Sequence, residues 1–245
     1  MRALIASAFA AGLLILPGSH IVAQGGPFRF SVTLPAAAGS QPVDGRLLVM
    51  IARDPKAGEP RFQINDSITG QLIFGVDVDG LKPGAAVTVD GSVLGFPLES
   101  INDIPGGTYS VQALIHKYET FKRSDGHTVK LPMDRGEGQQ WARAPGNLYS
   151  TPQTVSFDPK QGGTVSIALD KVIPPIPAPK DTTYVKHESI LSERLTRFWG
   201  RPMHLGAHVL LPEGWDTHPN AKYPLFIYHG HFPADLTNWR ETPPD

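Results

Sequence analysis

The chain has 245 residues, 40% of them hydrophobic, which allows one large domain or two small ones built around a core. Its 22 basic and 23 acidic residues nearly cancel, which argues against a surface that recruits nucleic acid or an anionic membrane. Cysteine is absent, so disulfides, thiolate metal sites and a cysteine nucleophile are excluded.

Residues 1–23 predict a secretory signal peptide. Arg2 precedes an apolar run from Ala3 to Leu16, and the small residue Ala23 suits a cleavage site. The run is shorter than the roughly 20 apolar residues that span a bilayer, although an uncleaved membrane anchor is the alternative. We therefore expect a periplasmic or extracellular protein with no stable membrane span once the signal is removed.

Residues 27–173 predict a β-sandwich domain, immunoglobulin-like or related. Short segments alternate between apolar and polar residues, and Asp-Gly, Pro-Gly and Gly-Gly pairs separate them. About eight strands and no helix are expected, and strands that bury one face need a second sheet to cover them. The clearest predicted strands are Phe28–Leu34, Gly45–Asp54, Gly75–Asp79, Ala86–Asp90, Thr108–Ile115, Thr154–Phe157 and Thr164–Leu169.

Tyr109 follows a Pro-Gly-Gly turn at the start of one of these strands. This placement is similar to a tyrosine corner, in which a tyrosine hydroxyl binds a backbone group a few residues upstream. The spacing is imperfect, so the sequence favours an ordinary core tyrosine.

Between Glu119 and Gln153 the strand periodicity fails, which predicts a long irregular segment. One interpretation is a flap that helps to form a substrate groove. Trp141 is then a candidate substrate contact that stacks on a sugar or an aromatic ring. The alternative is a solvated excursion pinned by its aromatic residues, and the mixed charge of the segment favours this alternative.

The segment Ile173–Pro179 contains four prolines, which predicts an extended linker at residues 174–181. After the linker, Thr182–Ile190, Met203–Leu211 and Tyr223–Tyr228 predict strands, and Ser189–Phe198 predicts a turn of helix. The run from Leu225 to Tyr228 is continuously apolar, as in a strand buried on both faces of a parallel sheet.

The stretch Tyr223–Trp239, with the sequence YPLFIYHGHFPADLTNW, carries a family resemblance. It resembles the start of secreted α/β-hydrolases of the esterase kind, similar to esterase D and feruloyl esterases. The resemblance covers residues 182–245, which it identifies as the start of an incomplete α/β-hydrolase domain. It implies an exported serine carboxylic-ester hydrolase that acts on a small-molecule or glycan ester without a cofactor.

In that family the nucleophile is a serine in a G-x-S-x-G turn, followed by an acid and a histidine. None of the serines in this sequence has glycine both two residues before and two residues after it. We therefore expect no catalytic residue in this chain, which would be an inactive N-terminal fragment. The resemblance implies an oxyanion hole built from the backbone N–H groups of His231 and Phe232, with Gly230 forming the turn. Trp239 is a second candidate substrate contact.

Two alternatives remain open at the sequence level. The turn at Gly230 is also compatible with a strand end that binds no ligand, and the whole chain with a non-catalytic periplasmic or extracellular binding module. His204 and His208 share one face of their predicted strand because their separation is even. No metal is expected there, because no neighbouring carboxylate completes a ligand pattern. The sequence does not indicate an oligomeric state.

Overall fold

A computed structural model describes residues 26–39, 41–138 and 140–229, and the predicted signal peptide lies outside these ranges. The described chain is mainly β, which confirms the predicted class. Its strands are β1 Arg29–Thr33, β2 Val43–Ala52, β3 Leu72–Leu81, β4 Ala86–Val89, β5 Gly95–Phe96, β6 Gly107–Lys117, β7 Glu119–Lys122, β8 Thr128–Leu131, β9 Leu148–Tyr149, β10 Gln153–Phe157, β11 Thr164–Ala168, β12 Lys171–Val172, β13 Val185–Leu191 and β14 His204–Leu210. Its α-helix, α1, is Glu193–Trp199.

Two sheets form the body of the protein. A three-stranded sheet has the order β11-β1-β4, in which β1 is parallel to β11 and antiparallel to β4. A seven-stranded sheet has the order β12-β9-β6-β2-β3-β5, and β10 pairs with the first half of β6. Neighbouring strands in this larger sheet are antiparallel. The architecture is consistent with the predicted β-sandwich, whereas its immunoglobulin-like subtype stays a prediction.

The main hydrophobic core contains side chains from both sheets. Alternate residues of β1 are buried, as the period-two pattern predicted. Phe28 stacks on Phe157 with ring centroids 4.7 Å apart, and the Phe30 ring meets both at nearly right angles. These aromatic contacts join the strand pair β1–β11 to β10 of the opposite sheet.

Strand β2 is buried on both of its faces. Leu47, Val49 and Ile51 belong to the main core, whereas Leu48 and Met50 belong to a second, smaller cluster. The second cluster also includes Leu114, Ile173, Ile64, Ile73, Trp141 and Tyr149. Coverage on both sides explains why β2 reads as an unbroken apolar run instead of an alternating one.

Tyr109 forms the contact that defines a tyrosine corner. Its ring is buried, and its hydroxyl donates a 2.7 Å hydrogen bond to the carbonyl oxygen of Pro105, four residues upstream. The interpretation that the sequence favoured, an ordinary core tyrosine, is therefore incomplete, because the buried ring also anchors the turn that leads into β6.

The prediction of one long irregular segment between Glu119 and Gln153 is wrong for its first part. Strands β7 and β8 form an antiparallel hairpin there. Its turn contains Asp125 and Gly126, and Gly126 has a φ of 87°. The Asp-Gly pair is a turn signal that the mixed charge of the segment obscured. Further along, Trp141–Arg143 forms a short 3-10 helix.

The C-terminal elements confirm two predicted strands and the predicted turn of helix. β13 and β14 pair antiparallel along their whole length, and α1 connects them. Ser192 caps α1 by accepting a hydrogen bond from the backbone N–H of Leu195, and Gly200 ends it with a left-handed φ of 68°. The predicted linker at 174–181 has irregular structure.

The β7–β8 hairpin holds these C-terminal elements against the rest of the chain. The buried ring of Phe121 meets Trp199 edge-on at 5.4 Å, and the Arg201 guanidinium lies 5.2 Å from the Phe121 ring centroid. Glu119 forms ion pairs with both Arg201 and Arg135. Gly200 approaches this hairpin so closely that an added Cβ would lie 2.6 Å from the carbonyl oxygen of Lys122.

Replacing Tyr109 with phenylalanine should destabilise the protein by about 1 kcal/mol, because the ring stays while the Pro105 carbonyl loses its internal donor. Urea unfolding of the full chain measures the difference. Tyr118→Phe is the matched control, since the Tyr118 hydroxyl bonds to none of the described residues, and we expect a change below about 0.5 kcal/mol. Equal effects of the two substitutions would contradict a structural role for the corner.

Candidate functional site

Most of the predicted site residues lie outside the part of the chain that the structure describes. These are Gly230, His231, Phe232 and Trp239. The predicted oxyanion hole therefore stays a prediction. Trp141 lies within the described residues, and the surface around it is the candidate functional site.

The strand predicted at Tyr223–Tyr228 is wrong for this structure, because these residues have irregular structure. Leu225, Phe226, Ile227 and Tyr228 are 84%, 86%, 77% and 76% exposed. A strand needs neighbours that pair with its backbone and cover its side chains. Among the described residues the nearby sheet consists of β13 and β14, and neither pairs with this run.

The histidines of β14 share a face, as predicted. His208 lies directly opposite His187 of β13, and their rings meet edge-on with centroids 4.8 Å apart. Asp181 accepts a 2.9 Å hydrogen bond from the backbone N–H of His187, and its pKa is lowered by this bond and by a contact with the His187 ring. Ser189 Oγ lies 3.2 Å from Nδ1 of His204. Within the described ranges, no three His, Asp or Glu side chains converge as metal ligands would.

Trp141 packs against the second core cluster beside Tyr149, so its indole is partly buried. It is the first residue of the 3-10 helix Trp141–Arg143, and its carbonyl accepts a 2.9 Å hydrogen bond from the Asn147 side chain. This packing supports the interpretation of an aromatic anchor. The helix nevertheless carries Arg143 to the surface next to a set of charged and aromatic side chains.

We call this set the arginine–aromatic cluster, and it lies on the face of the seven-stranded sheet opposite the main core. Its members are Glu59, Arg61, Phe62, Arg143 and Tyr149. The chain brings them together from two sides. The 3-10 helix Pro60–Phe62 follows β2, whereas Arg143 and Tyr149 come from the segment that leads through β9. The contact could not be predicted from the sequence, because about 80 residues separate the helix Pro60–Phe62 from the helix Trp141–Arg143.

Arg61 is the centre of the cluster. Its guanidinium carbon lies 4.3 Å from the Phe62 ring centroid and 4.2 Å from the Tyr149 ring centroid. Its Nε donates to Glu59 at 2.7 Å, and its Nη1 donates to the carbonyl oxygen of Ala142 at 2.9 Å. The side chain is only 10% exposed, so stacking and hydrogen bonds fix the charge in one position.

Gln112 of β6 holds the cluster in place through hydrogen bonds from the sheet. It is fully buried in β6, and its side-chain nitrogen donates to Glu59 at 2.8 Å and to the Ser150 carbonyl at 2.9 Å. Its side-chain oxygen accepts from the backbone N–H of Arg61 at 3.1 Å. Sequence reasoning missed this residue. The available signal was a glutamine inside the apolar strand Tyr109–Ile115, since a polar side chain buried there needs partners.

Two further cations lie beside the Arg61–Glu59 ion pair. The guanidinium carbon of Arg143 is 4.8 Å from the Phe62 centroid, and the side chain is exposed. Among the described residues, Arg143 forms no ion pair. Lys171 of β12 lies directly opposite Tyr149 of β9 and therefore shares its face of the sheet.

The charge state of Glu59 follows from its surroundings. Partial burial acts to raise its pKa, but hydrogen bonds from Gln112 and Arg61 and the charges of Arg61 and Lys171 together outweigh that effect. The pKa of Glu59 is therefore lowered, and the carboxylate stays ionised at neutral pH. The cluster and the neighbouring Lys171 thus present three cations and one anion around exposed aromatic surface.

The lowered pKa predicts a pH-dependent effect of Glu59→Gln. The folded pKa lies below the unfolded one, so the ionised carboxylate stabilises the wild type above the unfolded pKa of about 4.3. That stabilisation is lost as pH falls through the folded pKa. The difference in unfolding free energy between wild type and Glu59→Gln should therefore shrink from pH 6 to pH 3. Chemical denaturation across this range measures it, and a constant difference would contradict the assignment.

Comparison with known proteins gives no assignment for this chain. No family model matches it, and neither does any curated protein or solved structure that was compared. The resemblance of the C-terminal stretch to α/β-hydrolases of the esterase kind therefore stays a hypothesis.

Proposed function

We propose that this chain belongs to an exported serine carboxylic-ester hydrolase and that residues 182–245 belong to its α/β-hydrolase domain. The observation that carries the proposal is the C-terminal sheet. β13 and β14 form at the predicted positions, within the segment 182–245 over which the resemblance to the hydrolases extends. Export is proposed from Arg2, the apolar run Ala3–Leu16 and Ala23, which have the pattern of a signal peptide.

The proposed chemistry is acyl transfer from an ester to a serine. The developing negative charge on the carbonyl oxygen needs preorganised donors, which the backbone N–H groups of His231 and Phe232 would supply after the turn at Gly230. Trp239 is proposed to contact the substrate. The sequence contains no G-x-S-x-G turn, so the serine, acid and base are not assigned to any residue of this chain.

The purified 245-residue chain should not hydrolyse p-nitrophenyl acetate above the buffer rate, whereas reading of the gene beyond codon 245 should reveal an in-frame G-x-S-x-G motif. Ser189 and His204 supply the sharpest control, because they form a serine–histidine contact among the described residues. Hydrolysis that Ser189→Ala abolishes would overturn the proposal, since the nucleophile would then lie in this chain. A stop codon at position 246 would count against it as well.

A second candidate is a non-catalytic binding module exported to the periplasm or the cell exterior. The arginine–aromatic cluster favours it, since a fixed guanidinium between two aromatic rings is typical of surfaces that recognise ligands. The cluster belongs to the sandwich and lies outside the C-terminal sheet. Glycans are the proposed ligand class, because aromatic and hydrogen-bonding side chains together suit sugar rings.

Glycan-array binding tests this second role. Binding should survive deletion of residues 180–245, because the cluster and the main core lie before the linker. Far-UV circular dichroism of the shortened chain controls for folding. If the shortened chain remains folded but no longer binds, the ligand site lies in the C-terminal part. That result would favour the hydrolase proposal.

A further inference from the structure

We propose that the arginine–aromatic cluster binds an oxyanion, such as the carboxylate of an acidic sugar, between Arg61 and Arg143. The inference rests on the binding role proposed above and deepens it by naming the charge and the geometry of the ligand. It depends on the placement of two guanidinium groups around a single aromatic ring.

The two guanidinium groups share the Phe62 ring. Their central carbons lie 4.3 Å and 4.8 Å from the same ring centroid, so they are within about 10 Å of each other. Within that limit, physiological salt screens the two charges only in part, so they repel. The electron-rich face of Phe62 attracts each of them, but it does not cancel the repulsion between them. An anion that contacts both guanidinium groups would cancel that repulsion.

The local charge balance points the same way. Glu59 is the acidic member of the arginine–aromatic cluster, and its carboxylate forms an ion pair with Arg61. Arg143 and Lys171 remain without a described ion pair. The chain as a whole is nearly neutral, with 22 basic and 23 acidic residues, so this excess of positive charge is a local feature. A local cationic excess in an otherwise balanced surface favours a negatively charged ligand.

Arg61 is already ordered for this purpose. Glu59, the Ala142 carbonyl, Tyr149 and Phe62 hold it, and Gln112 fixes the backbone N–H at its base. Its remaining nitrogen, Nη2, has no described hydrogen-bond partner. An anion that binds there meets a charge that has already lost its side-chain freedom, which lowers the entropic cost of binding.

Arg143 supplies the exposed half of the site. Its side chain is exposed, and its backbone is fixed by the short helix whose first residue, Trp141, packs on the second core cluster. A guanidinium donates two parallel hydrogen bonds to a planar carboxylate, which a lysine ammonium does not reproduce. The partly exposed ring of Phe62 provides adjacent apolar surface for the ring that carries the carboxylate.

Isothermal titration of the full chain tests the inference with three probes: galacturonate, acetate and uncharged galactose. Galacturonate should bind more tightly than galactose, and its affinity should fall as salt is added. Arg143→Ala should weaken galacturonate binding about tenfold, which is the scale of one charge-assisted hydrogen bond. Arg143→Lys should give an intermediate affinity. Arg194→Ala is the matched control, an exposed arginine on α1 that should leave the affinity unchanged.

The probes separate the possible outcomes. Acetate that binds as tightly as galacturonate would identify a site for a free anion. That result would support oxyanion binding and show that the sugar ring does not contribute. Galactose that binds as tightly as galacturonate would overturn the inference while leaving a glycan-binding role in place. The inference is also wrong if Arg143→Ala binds like the wild type, or if no anionic probe binds at millimolar concentration.

Discussion

The structure depends on burial of β2 from both sides. Leu47, Val49 and Ile51 face the main core, and the side chains between them face the second cluster. A strand in this position exposes no apolar surface, so both of its neighbours, β3 and β6, are held in register along most of its length. The same requirement explains the arginine–aromatic cluster. Covering the outer face of β2 and β6 brings the two 3-10 helices at 60–62 and 141–143 over the sheet, and Arg61 and Arg143 come with them.

Buried polar groups then decide which surface side chains are rigid. Gln112 points to the same side as Leu114, away from the main core, and the covering segments leave it without water. Its amide is satisfied by Glu59, Ser150 and the backbone of Arg61. One buried glutamine therefore fixes a carboxylate and an arginine on the surface above it. The ion pair of Arg46 with Asp77, by contrast, joins β2 to β3 through two largely exposed side chains, where solvent screens the charges.

The period-two strands were predictable because alternate side chains of a strand point to opposite faces of the sheet, and only one of those faces is buried. Phe28–Leu34 and Thr164–Leu169 show this, although their parallel pairing was not visible in either segment. The β7–β8 hairpin was missed because its polar side chains hid an Asp-Gly turn. The arginine–aromatic cluster was beyond sequence reasoning, since it joins segments about 80 residues apart through one glutamine. The run Leu225–Tyr228 shows the opposite case, where a strong strand pattern has no partner among the described residues to pair with.

The parallel pair β1–β11 joins the two ends of the sandwich sequence. Arg29 contacts Thr164 across a separation of 135 residues, and the phenylalanines beside it complete the main core. The first strand therefore has no parallel neighbour until almost the whole sandwich has been synthesised, and closing so long a loop slows folding. For a protein proposed to be exported, that delay is useful. In the proposed export, slow closure of the sandwich would leave the chain loosely folded while it crosses the membrane.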